Sequence, residues 1–206
     1  MGNVMLASDL HRILAEAKAF TSKDKTLPQL GTVRIEAGNN GIIAVATDRY
    51  SLGASRANYD GDSFGFNLGA SSVDSLIRIS GTLSAAWRKD AAFRTVEIVV
   101  LDGFTALQFN FADEESITVK AHDESFPKWK QLVSEETIAP DAQVEATIGY
   151  NPKLLAKFCK VAGSRPIRVC NRGRAKATII TIGDEFVGVI MANRGVDEGY
   201  TKPNWL

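Results

Sequence analysis

Lys153, Lys157 and Lys160 recur at i, i+4 and i+7 with no acid between them, which is the spacing of one edge of an α-helix. Ammonium groups in such an array do electrostatic work: they attract phosphates or carboxylates without making or breaking bonds. Arg165, Arg172, Arg174 and Lys176 follow closely. The 206 residues carry no net charge, but the charge is segregated. From Thr95 to Ala146 eleven acids stand against three lysines, and from Thr147 to Arg194 nine bases stand against two acids. A field divided in this way steers a polyanion to one face. Late lysines also complement a helix C-terminus, but Lys153 sits at the opposite end, which favours the polyanion reading. Lys18, Lys23, Lys25 and Arg78 are secondary candidates.

Catalytic chemistry finds little support. His11 is flanked by leucine and arginine, and His122 lies beside Asp123 in an acidic stretch. Neither has a serine or cysteine in a nucleophile setting, so both read as surface or capping histidines. Cys159 and Cys170 lack a second cysteine or a histidine at metal-ligand spacing and read as buried thiols in a reducing compartment. The Gly38–Gly41 stretch lacks the lysine and hydroxyl residue of a phosphate loop and reads as a hairpin turn. No metal, nucleotide or cofactor signature is present. There is no leader pattern and no apolar run of membrane-spanning length, and Leu6 breaks the myristoylation pattern after Gly2. The expected location is the cytoplasm.

The elements that must carry these residues repeat. Three amphipathic helices, opening near Ser8, Ser71 and Asn151, are each followed by alternating strands. The expected fold is α+β, with antiparallel sheets and helices on one face, because no single repeat can bury its own apolar stripe. In the first repeat Leu10, Ile13, Leu14, Ala17 and Phe20 form the stripe, with Ser8 as N-cap. Strands follow at Thr32–Ala37 and Ile42–Thr47. The second repeat has a strand at Phe64–Leu68 and a short helix whose Ser71 and Asp74 stand in capping-box-like register. Residues Gly81 to Arg94 read as a loop or a helical insertion. A hairpin at Val96–Leu101 and Phe104–Phe109 turns at Asp102-Gly103, and Ile117–Ala121 is a further strand. The third repeat has a strand near Val144–Ile148, then Asn151 and Pro152 as N-cap and first-turn pair of a helix running to about Ala162. That helix has Leu154, Leu155, Phe158, Cys159 and Ala162 as its stripe. Strands follow at Ile167–Cys170, Ala177–Ile182 and Phe186–Met191. The expected organisation is a two-repeat domain over 1–133, a linker over 134–146, a half-domain over 147–194 and an irregular tail over 195–206.

In sequence order, four motifs resemble the bacterial replicative sliding clamp, the beta subunit of DNA polymerase III. Ala46-Thr47-Asp48-Arg49-Tyr50-Ser51-Leu52 is similar to the family's Ala-Thr-Asp-Gly-His-Arg-Leu, and Phe126-Pro127-Lys128-Trp129 to its Phe-Pro-Asp-Tyr. Ile148-Gly149-Tyr150-Asn151-Pro152-Lys153-Leu154-Leu155 resembles Ile-Gly-Phe-Asn-Pro-Lys-Tyr-Leu. Met191-Ala192-Asn193-Arg194 stands where the family has Met-Pro-Met-Arg.

The resemblance implies a shortened clamp: a complete middle domain followed by half of the last one. Clamps close a ring of twelve repeats, so three per chain would imply four chains. It implies a non-enzymatic processivity factor that encircles duplex DNA of any sequence and is placed there by a clamp loader. The expected phosphate contacts are Lys153, Lys157, Lys160, Arg165, Arg172, Arg174 and Lys176. A polymerase and other clamp-binding proteins would insert a linear peptide into a groove. The positions matching the family's groove are Leu30, Thr47, Tyr50, Leu52, Pro127, Leu132, Met191 and Arg194. Three departures from the motifs, Arg49 for glycine, Ser51 for arginine and Ala192-Asn193 for Pro-Met, imply a shifted peptide preference. The tail, ending in Trp205 and Leu206, is a second candidate occupant. The alternative functions are a clamp-like decoy or adaptor that does not close a ring and, third, a hydrolase on the same scaffold.

Overall fold

The computed structural model describes residues 2–24, 26–101, 105–112, 115–122, 125–133, 148–171 and 177–193. The chain divides into two compact units, Met1–Pro127 and Lys128–Leu206.

Unit 1 has the order β1 (Val4–Leu6), α1 (Ala7–Lys18), β2 (Thr32–Gly38), β3 (Gly41–Thr47), β4 (Ser51–Ala57), β5 (Phe64–Gly69), α2 (Ala70–Trp87), β6 (Thr95–Val100), β7 (Ala106–Phe111) and β8 (Ser116–His122). The strand–helix–three-strand order occurs twice. The sheet runs β1-β6-β7-β8-β5-β2-β3-β4, and every pairing is antiparallel. The two halves are interlocked. β1, which precedes α1, pairs with β6, which follows α2. β5, which precedes α2, pairs with β2, which follows α1. The helices pack on each other and both touch β2, so they cover one face of the sheet. Leu10, Ile13, Leu14 and Ala17 of α1 are fully buried there, each large side chain contributing about 1.5–3 kcal/mol by its removal from water.

Several local expectations change. Ser8 is not a cap: α1 begins at Ala7 with Leu6 before it and no side-chain cap. The Ala7 N–H donates instead to the Arg94 carbonyl at 3.0 Å, which fills the role a serine oxygen would have. The second helix is not short, since it runs 18 residues, through Gly81 to Trp87. Gly81 belongs in it because a Cβ there would stand 2.9 Å from Cε1 of His11. The β6–β7 hairpin is present, but a two-residue turn at Asp102-Gly103 would pair Val100 with Thr105, whereas Val100 pairs with Leu107. A shift of two keeps each side chain on its own face. The turn residues themselves lie outside the described residues. β1 and β4 were not expected; β4, Ser-Leu-Gly-Ala-Ser-Arg-Ala, has no β-branched residue and therefore little strand propensity of its own.

Unit 2 contains α3 (Pro152–Ala162), β9 (Ile167–Cys170), β10 (Ala177–Ile182) and β11 (Phe186–Met191), with β10 between β11 and β9. Phe158 of α3 meets Phe186 edge-on at 6.4 Å, and Phe186 pairs with Ile182, so α3 lies on the face that carries Ile182. The expected strand at Val144–Ile148 falls almost wholly outside the described residues, as do the linker and tail. Both cysteines are exposed, contrary to the buried reading. No helix among the described residues is long and apolar enough to cross a membrane.

Candidate nucleic-acid and peptide interfaces

Helix α3 is held at both ends. The Asn151 side chain accepts from the Lys153 N–H at 2.9 Å, its carbonyl accepts from Leu154 and Leu155 at 3.0 and 3.1 Å, and Pro152 opens the helix with its fixed φ. At the other end Gly163 has φ 57° and donates to the Cys159 carbonyl at 3.1 Å, a left-handed stop that glycine adopts without strain. Between these caps the only charged side chains are Lys153, Lys157 and Lys160. Lys153 and Lys160 are exposed and Lys157 is partly exposed. Their spacing places them on one edge, away from Phe158 and Ala162.

Arg165 behaves differently. Its guanidinium donates to the carbonyls of Val161 at 2.6 Å and Ala162 at 3.4 Å, so it satisfies the carbonyl end of α3 and complements the helix dipole. Arg172, Arg174 and Lys176 lie outside the described residues. Sequence reasoning passed over Arg168, which is exposed on β9; its alternation along the strand was the available signal.

The unit 1 helices are electrostatically unlike α3. Arg12 donates to Asp9 at 3.0 Å, to the Ser55 hydroxyl at 3.2 Å and to the Arg56 carbonyl at 3.0 Å. Ser55, fully buried, donates to Glu16 at 2.6 Å. Lys18 pairs with Asp74 across the two helices, which removes it from the candidates for free cations. Lys23 and Arg78 are exposed, and Lys25 lies outside the described residues. His11 is not a surface histidine: it is partly buried, with Nδ1 2.9 Å from the Ile77 carbonyl of α2. His122 is exposed at the end of β8, opposite Asn67. Among the described residues no group of three or more His, Cys, Asp or Glu is placed to hold a metal.

The peptide-groove positions divide by burial. In unit 1, Leu30, Thr47 and Leu52 are buried, while Pro127 is exposed and Tyr50 is 59% exposed. Tyr50 stands on a tightly bonded turn. The Asp48 carboxylate accepts from the N–H groups of Tyr50 at 3.0 Å and Ser51 at 2.7 Å and from the Ser51 hydroxyl at 2.9 Å. Thr47 closes the turn by donating its hydroxyl to the Ser51 carbonyl at 2.9 Å. Arg49 pays for this geometry with φ 79°, a region that disfavours a Cβ. In unit 2, Leu132 and Met191 are exposed, and Arg194 lies outside the described residues.

No protein-family model matches the sequence, and no curated protein matches it. Solved structures do. The DNA polymerase sliding clamp of Bacillus subtilis superposes with a TM-score of 0.74 at 16% identity, over 94% of this chain and 64% of that one. The DNA polymerase III beta subunit of Thermotoga maritima gives 0.71 at 14% identity, over 93% and 65%. The beta subunit from the DNA polymerase of Streptococcus pyogenes gives 0.72 at 18%, over 94% and 66%. The chain thus spans just under two thirds of the length of each of these proteins. At such identities the likeness speaks for architecture, and the chain has the fold of the bacterial DNA polymerase III beta sliding clamps.

Proposed function

We propose that this chain is a shortened sliding clamp: a non-enzymatic processivity factor of the cytoplasm that assembles into a homo-oligomeric ring around duplex DNA and tethers a polymerase. One observation carries the reading: a chain with the clamp fold contains a helix whose charged side chains are all lysine. Lys153, Lys157 and Lys160 contact phosphates without reading bases, so the ring holds DNA of any sequence and still slides. Arg168, Arg172, Arg174 and Lys176 extend the same field, and Arg165 contributes charge while it caps the helix. Polymerase, other clamp-binding proteins and a loader engage by linear peptide, with Tyr50, Pro127, Leu132 and Met191 as the accessible positions of the groove set. Leu30, Thr47 and Leu52 form its floor, and Arg194 belongs to the same set.

Encirclement is tested by retention on nicked circular DNA. The protein should stay bound through gel filtration in high salt and be lost when the circle is linearised. Equal loss from both forms would overturn the ring. A second reading is an adaptor that captures clamp-binding proteins without surrounding DNA. It requires binding of a clamp-binding peptide together with no topological retention.

A further inference from the structure

The interlocked halves of unit 1 set a rule that the described residues of unit 2 do not meet. Each strand that follows a helix has two neighbours there: β2 lies between β3 and β5, and β6 lies between β7 and β1. The second neighbour in each case is the strand that precedes the other repeat's helix. β9 follows α3, and among the described residues it pairs only with β10.

The side chains repeat the discrepancy. Val33 and Ile35 of β2 and Val96 and Ile98 of β6 are fully buried. The corresponding apolar pair of β9 is Ile167 and Val169, opposite Ile182 and Ile180, and therefore on the face that α3 covers. Val169 is nevertheless 57% exposed. The helices agree. Leu10, Ile13, Leu14 and Ala17 of α1, and Val73, Leu76, Ile77 and Ser80 of α2, share the offsets 0, 3, 4 and 7. All are fully buried except Ile77, which is partly exposed. At the same offsets in α3, Phe158 and Ala162 are buried, but Leu155 is partly exposed and Cys159 exposed. Ala156, at the offset where His11 leans on α2, is exposed as well. What covers these positions in unit 1 is a sister repeat, and both of its repeats are already committed to each other.

We propose that unit 2 is completed by unit 2 of a second copy of this chain, in a two-fold arrangement that sets α3 beside the partner's α3 and covers Val169 and the outer edge of β9. The interface is isologous, so each buried position occurs twice. This surface names how chains join in the ring proposed above, yet it rests on the geometry of unit 1 and not on DNA binding. It is therefore tested on the full chain without DNA.

Sedimentation velocity over a concentration series should show an assembly of even subunit number. Val169→Lys should weaken that assembly about a hundredfold, because two buried valines are lost per interface. The same variant should keep the wild-type far-ultraviolet circular dichroism, since its site is already exposed in the single chain. In a Cys170→Ser background, a short bismaleimide should give a covalent dimer through Cys159, and Cys159→Ser should abolish it. A wild-type chain that stays monomeric at the highest attainable concentration would overturn the proposal. So would an assembly indifferent to Val169→Lys, or one in which Cys159 does not cross-link. Loss of DNA retention with this dimer intact would count against the clamp function alone.

Discussion

Arg49 shows how a single residue records a compromise. Its φ of 79° is imposed by the bonds that Asp48 and Thr47 make to close the β3–β4 turn, and a left-handed conformation costs a non-glycine residue about 1–2 kcal/mol. Arg49→Gly should therefore raise the unfolding free energy by about 1 kcal/mol, read as a higher urea midpoint at unchanged slope. A lower midpoint would mean that the arginine side chain makes a contact worth more than the strain. Tyr59 offers a second residue-scale test. Burial first, then the nearby Asp62 and Asp60, push its hydroxyl up to about 12. Folding thus favours the protonated phenol. Its contribution is complete below pH 10, the ordinary value for tyrosine, and is lost as the pH rises from there to about 12. Ultraviolet titration of the folded protein, with Tyr59→Phe as the difference sample, should show one tyrosine ionising last.

At the level of elements, α1 and α2 are fitted to each other through His11 and Gly81. Alanine in a helix interior is favoured over glycine by about 1 kcal/mol, but at Gly81 its Cβ meets the His11 ring at 2.9 Å, and overpacking typically costs about 1–3 kcal/mol. A double-mutant cycle separates the two effects: Gly81→Ala should be worth at least about 1 kcal/mol more in a His11→Ala background than in the wild type. Additivity would show that the ring moves aside without cost. This pair also explains what was legible in the sequence. α3 was readable because Asn151 and Pro152 open it and its apolar stripe runs to about Ala162, β2 because it alternates, and β3, β5 and β8–β11 because short apolar-rich runs stand between turn residues. The length of α2 was not, because a glycine required by a neighbouring helix looks like a stop until that neighbour is seen. β4 was missed for a related reason: Ala54, Ser55 and Ala57 are small and buried on a strand against which α1 packs, and small residues carry a weak strand signal. The lysines of α3 were located from their spacing alone. The burial of Cys159 was misjudged because its place in the apolar stripe says nothing about whether a second helix covers that side.

For the whole molecule, the zero net charge conceals a division between an acidic stretch and a basic one, and the division should be visible as salt dependence. Each phosphate neutralised contributes about −0.9 to the slope of log K against log salt on duplex DNA. Replacing Lys153, Lys157 and Lys160 together by glutamate should therefore flatten that slope by about 2 to 3 and weaken binding equally on unrelated sequences. An unchanged slope would remove α3 from the DNA interface whatever the oligomeric state. The positions matched to a groove by resemblance were the least legible part, because a resemblance names positions but does not say which are buried and which are exposed. Leu30 and Leu52 are core in unit 1, while Tyr50 protrudes.

The crossing of β1 onto β6 has a consequence for how the protein is made. Val4 pairs with Glu97, so about ninety residues must leave the ribosome before β1 meets its partner, roughly 5 to 20 s at ordinary elongation rates. β2, β3, β4 and β5 emerge first and can pair among themselves, but α2, the cover for α1, arrives later. During that interval the nascent chain displays the side of α1 that α2 will cover and a strand with no mate, which is the kind of surface chaperones hold.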